Sequence, residues 1–108
     1  MSGKPTPGPW QVEIIGSPRV IAEGAKGGTF PICDIRGWGY LTGKGHGALG
    51  LPHDEAVAIQ NANTHLIAAA PDMLDFVKWV ADRGEPNNQM EIFQRARQLV
   101  AKAKGRAP

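Results

Sequence analysis

The chain has 108 residues, 42% of them apolar and 20% charged, with a formal net charge of +2. That length implies a single domain with one modest core, and that charge is too small by itself to mark a duplex-DNA binder. A lone cysteine, Cys33, excludes an intrachain disulfide scaffold and fits a reducing cytoplasm.

In chain order, MSGKPTPGPW at residues 1–10 lacks a hydrophobic signal core, so export is not expected. Its prolines disfavour helix and give residues 1–9 an extended lead-in. WQVEII at 10–15 alternates Trp10, Val12 and Ile14 against Gln11 and Glu13, the pattern of a half-buried strand. GSP at 16–18 is a turn by composition, RVIAEG at 19–24 a second strand, and FPICDIRG at 30–37 a third. Connections this short require antiparallel pairing, because parallel neighbours need long crossovers. Cys33 falls in the third strand, where a buried thiol is a packing residue.

Residues 37–53, GWGYLTGKGHGALGLPH, follow neither the strand nor the helix period. From Asp54, a candidate N-cap, the pattern turns helical, with Ala58, Ile59, Ala62, Leu66 and Ala69 as the expected inner stripe. Pro71 divides this segment, so a first helix runs to about Ala69 and a second from Pro71 to about Arg83, with Met73, Leu74, Val77 and Val80 facing inward. Gly84 is a stop, and Asn87 or Asn88 caps a third helix. The inner face of that helix is Met90, Phe93, Ala96, Leu99, Val100 and Ala103. No apolar run reaches the length of about 18 residues that a membrane span needs.

The expected fold is therefore α+β. A small antiparallel three-stranded sheet at about residues 10–36 precedes a glycine-rich loop at 37–53 and three helices packed on one face. The whole chain, 1–108, is one domain with a frayed tail at 105–108. Three strands leave two edges and a bare face, a problem that a homo-oligomer would solve.

The glycine-rich loop is the principal candidate site. GHGALG at 45–50 fits G-x-G-x-x-G in letters, but a dinucleotide site needs a βαβ unit that is missing here. A P-loop would place glycine where Trp38 stands and Ser or Thr at Gly45. What remains is an anion cradle. The backbone amides of Gly43, Gly45 and Gly47 are unshielded by side chains, Lys44 and His46 add charge and donors, and Trp38 and Tyr40 supply flat faces for a base. Such a set suits a small nucleotide-type ligand. In the helix that follows, Asn63 shares a flank with Gln60, where it either anchors the loop or touches the ligand.

Other chemistries are poorly served. His46, His53 and His65 with Asp54 and Glu55 match no zinc-site spacing, so no metal or other cofactor is expected. Ser2 and Ser17 lack a nucleophile context, and no catalytic residue is assigned. Arg95, Arg97, Lys102 and Lys104 read as a solvated helix face rather than a nucleic-acid surface.

Three stretches, TPGPW at 6–10, VIAEG at 20–24 and NANTHLIAAAPDML at 61–74, together resemble a group of short phage and prophage proteins. These commonly begin T-P-G-P-W and carry N-A-R-L-I-A-A-A-P-(D/E)-L-L before a final helix. Here TPGPW ends at Trp10, and Asn63, Leu66, Ile67, Ala68, Ala69, Ala70, Pro71 and Asp72 match the second pattern, while Thr64 and His65 depart from it. The likeness covers about half the chain and leaves out the glycine-rich loop. It implies phage origin and action inside the host cell. Small phage proteins of this kind include oligomers that sequester cyclic nucleotide or ADP-ribose-type immune signals without cleaving them. The resemblance thus implies a non-enzymatic anti-defence protein of that class. The alternative is a module that inhibits a host protein by docking on it.

Overall fold

The computed structural model describes residues 5–24, 26–83 and 89–106. Three strands, β1 (Trp10–Ile15), β2 (Ser17–Glu23) and β3 (Thr29–Asp34), form an antiparallel sheet in the order β1-β2-β3. The β1–β2 register opposes Trp10 to Ala22, Val12 to Val20 and Ile14 to Pro18. Opposed residues share a face, so these side chains form one surface, joined by Cys33 and Phe30 from β3. The helix α2 (His53–Ala68) packs on that surface against β2 and β1. Val20 and Ala22 are buried there. Ile21 is buried as well, where a bulge between Val20 and Ile21 shifts the register to β3.

The face that α2 turns inward differs from the expected stripe. Ala56, Gln60, Thr64 and Ala68, spaced four residues apart, are its buried residues. Of the expected set, Ala69 is buried and Ile59 half-buried, while Ala58, Ala62 and Leu66 are exposed. Small residues let the helix axis approach the sheet closely, which bulkier ones would prevent. Thr64 is 0% exposed because its hydroxyl donates to the Gln60 carbonyl at 2.6 Å, which satisfies it within its own helix.

Residues 37–53 are not a single loop. A short helix α1 (Trp38–Thr42) stands at their start, with Leu41 buried beneath it, and His53 already belongs to α2. Pro52, not Asp54, holds the cap position, and Asp54 and Glu55 occupy the first turn. After α2 the chain restarts at Ala70 as α3 (Ala70–Arg83), with Pro71 in the first turn. The last helix is α4 (Gln89–Ala103). The expected stop at Gly84 and cap at Asn87 or Asn88 lie outside the described residues.

α3 and α4 form a hairpin. Lys102 pairs with Asp72, the rings of Phe76 and Trp79 stand 6.0 Å apart, and the Arg95 guanidinium lies 4.2 Å over the Trp79 ring. Residues 105 and 106, expected to fray, are tied back instead. The Arg106 amide donates to the Ala101 carbonyl at 2.7 Å, and Gly105 lies against the His65 ring. At the other end, Gly8 lies on Pro71, where an added Cβ would meet the proline Cβ at 2.7 Å, and the Trp10 indole donates to the Thr6 carbonyl. TPGPW and AAAPD therefore touch and form one packing contact.

Candidate functional site

The glycine-rich segment is ordered by its own backbone. The Gly43 amide donates to the Gly39 carbonyl, Leu49 to Tyr40 and Leu51 to Leu41, so the chain folds back along α1. A Cβ on Gly43 would lie 2.4 Å from the Gly39 oxygen, and Gly47 and Gly50 hold φ of +84° and +64°. Glycine at these three positions is a steric requirement. Gly45 has open space around it. Lys44 and His46 are exposed at the turn, Tyr40 is exposed on α1, and Asn63 is exposed on α2. None of these lines a concavity among those found.

Trp38 does line one. A cleft of about 1020 Å³ opens between the β1–β2 turn, the β3–α1 linker and the first two turns of α2. Short connections set its walls. The one-residue turn at Gly16 brings Ile14, Ile15, Ser17 and Pro18 to one rim. On the second rim, the Ile35 amide donates to the Pro18 carbonyl at 3.0 Å, which fixes the linker that carries Arg36 and Trp38. The Trp38 and His53 rings meet edge to face with centroids 5.2 Å apart, joining that linker to the start of α2. Trp38 remains 38% exposed, enough to offer a face to a ligand.

The polar lining is mixed in charge. Arg19 is paired to Glu13 at 2.5 Å, and Asp34 opposes Arg19 across the strands. Arg36 is exposed and makes no ion pair among the described residues. At the floor stand Gln60 and Asn61. Gln60 is only 7% exposed, and its amide makes no hydrogen bond with another described residue. Among the described residues no fully enclosed side-chain nitrogen or oxygen lacks a partner, so the polar end of Gln60 keeps contact with the cleft. A buried amide without a protein partner costs about 1–3 kcal/mol unless something in the cleft bonds it. A neutral amide here can both donate and accept, which suits the edge of a heterocyclic base.

Of the residues expected from sequence, the structure thus brings Trp38 to the cleft, leaves Tyr40, Gly43, Lys44, Gly45, His46 and Gly47 on α1 and the neighbouring turn, and leaves Asn63 exposed on α2. Arg19, Asp34, Arg36 and Asn61 carry no site signal in the sequence, His53 enters there only as a rejected metal ligand, and Gln60 only as Asn63's neighbour. They are scattered over the sequence and converge only through the sheet register and the docking of α2. The one available signal was Gln60 itself, a polar residue in a helix that must pack. No group of three or more potential metal ligands occurs among the described residues, and no helix there is long and apolar enough to cross a membrane.

The model of one protein family, described as Salmonella phage P22 protein Y8K6, matches residues 1–107. No curated protein and no solved structure matches the chain.

Proposed function

The chain belongs to the Salmonella phage P22 protein Y8K6 family, and we propose, from the cleft rather than from that membership, a non-enzymatic phage protein that captures a small nucleotide-type immune signal in the host cytoplasm and so blunts anti-phage defence. The observation that carries this reading is the Gln60 amide, nearly buried and bonded to no other described residue, in a cleft whose rim is an exposed tryptophan. A base would stack on Trp38, an interaction worth about 1–3 kcal/mol in nucleic-acid systems. Gln60 and Asn61 would bond its edge, and Arg36 would meet the phosphate. In this reading Lys44 and His46, on the adjoining turn, act at most as outer charges.

Isothermal titration calorimetry with a panel of cyclic dinucleotides and ADP-ribose tests it. At least one ligand should bind without being consumed. Trp38→Ala and Gln60→Leu should each weaken it by about tenfold or more with the fold intact by circular dichroism. Lys44→Ala should weaken it less than either. No heat from any member of the panel with the unaltered chain overturns the assignment. Weakening by Lys44→Ala alone moves the site from the cleft to the turn.

A further inference from the structure

The two edges of the sheet differ in what their backbone groups offer. The Ile35 amide donates to the Pro18 carbonyl, so that carbonyl faces β3. Backbone groups alternate in direction along a strand, so those of Ser17, Arg19 and Ile21 face β1 and bond the residues opposite them, Ile15, Glu13 and Gln11. Trp10, Val12 and Ile14 therefore aim their N–H and C=O groups outward, at an edge that no described strand covers. On the far edge, Pro31 opposes Ile21, so an outward position falls to a residue without an N–H. The bulge there breaks the row again. Proline and a bulge are the devices that keep an edge from pairing. The β1 edge has no proline, lysine or bulge, and its single charge, Glu13, is already paired with Arg19.

We propose that β1 pairs antiparallel with β1 of a second copy of the chain, joining the two sheets into one. A two-fold axis through Val12 is the register that uses all three free residues of each copy. It sets Val12 against Val12 and Trp10 against Ile14, an aromatic and β-branched pair on the side of α2. Ile14, 49% exposed in the single chain, gains cover there. On the other side the axis sets Gln11 against Glu13. Moving the axis to Glu13 would oppose like charges, and moving it to Gln11 would leave Ile14 without a partner.

Charge favours a second copy as the occupant. α2 lies over β1 and β2 and runs antiparallel to β1: its first turns stand by Ile14 and Ile15, and Pro71, just past its end, stands by Gly8. The axis puts both α2 helices on one face of the joined sheet, with the end of one toward the start of the other. The start carries Asp54 and Glu55. Near the end, the right-handed turn of the helix directs His65 toward the open edge, and Gly105 lies against that ring, between Lys104 and Arg106. All four charged residues are exposed and make no ion pair among the described residues. The acids of one copy thus approach the bases of the other.

Sedimentation velocity over a concentration series tests the pairing without any ligand, so its outcome is separable from that of the cleft. The unaltered chain should sediment as a dimer at micromolar concentration. Ile14→Pro removes an outward donor and no bond to β2, and should weaken the dimer about tenfold or more with circular dichroism unchanged. Gln11→Glu, at an exposed position, should weaken it about threefold or more, and Gln11→Lys should tighten it. Lys104→Glu with Arg106→Glu should weaken it. Hydrogen exchange reads the register directly. As concentration rises, the amides of Val12 and Ile14 should gain protection about tenfold or more, while those of Gln11 and Glu13 are protected throughout. A chain that is monomeric at every concentration overturns the proposal, whatever else its edge binds, as does a dimer whose Val12 and Ile14 amides stay unprotected. Equal dimer affinity in the two Gln11 variants overturns the axis at Val12, and unchanged affinity after the Lys104 and Arg106 exchange overturns the pairing of acids with bases.

Discussion

The sheet with α2 and the α3–α4 hairpin solve the same problem to different extents. Val20, Ile21, Ala22, Ile35, Leu41, Ala56, Gln60, Thr64, Ala68 and Ala69 are all buried, and every one lies between the start of β2 and the residue that caps α2. The hairpin, by contrast, rests on half-buried contacts, an ion pair and a cation over a ring. The difference teaches that apolar content does not locate a core. The hairpin's large hydrophobes are half-buried or exposed, while the body's interior sets alanines and a threonine against Val20, Ile21, Ile35 and Leu41. A close approach of helix and sheet, not side-chain size, decides what is enclosed.

The largest expected effects therefore fall in the body. Leu41→Ala and Ile21→Ala should each cost about 2–5 kcal/mol in urea unfolding. Values below 1 kcal/mol would mean that the core is not where the packing places it. Next comes Ala56→Leu, which forces three more carbons against β2 and should cost about 1–3 kcal/mol by thermal melting. Gly8→Ala should follow at about 1 kcal/mol or more, because its methyl has to displace Pro71. In the hairpin, Val77→Ala at an exposed position should change stability by about 0.5 kcal/mol or less. Lys102→Ala, at a pair about one-third exposed on each side, should cost no more than about 1 kcal/mol. Hydrogen exchange sharpens the contrast further: amides of α2 should outlast those of α3 and α4, and a hairpin protected as well as α2 at low concentration would erase the distinction.

Much of the fold was legible in the sequence, for definite reasons. Alternation at Trp10, Val12 and Ile14 identified β1, and turn residues marked the strand ends within about three residues. Pro71 correctly divided α2 from α3. The inner face of α2 was missed because a search for large hydrophobes passes over Ala56, Gln60, Thr64 and Ala68, and because a threonine bonded inside its own helix looks more polar than it is. The short helix α1 was missed because Gly37, Gly39 and Gly43 disguise it. In the candidate site, Trp38 stood out as an aromatic beside glycines. Arg36, His53, Gln60 and Asn61 did not, since only a sheet register and a helix docking angle bring them together. The glycine run signalled a constraint truly, but for Gly43, Gly47 and Gly50 that constraint is steric: the chain needs room to double back.

The contact between Gly8 and Pro71 ties the segment before β1 to the first turn of α3. Pro71 meets position 8 through its Cβ, an atom that every residue but glycine carries, so exchanging the proline would not make room for a side chain there. The lead-in thus works as a clasp on the helical half, and a chain trimmed to start at Trp10 should lose that hold on α3.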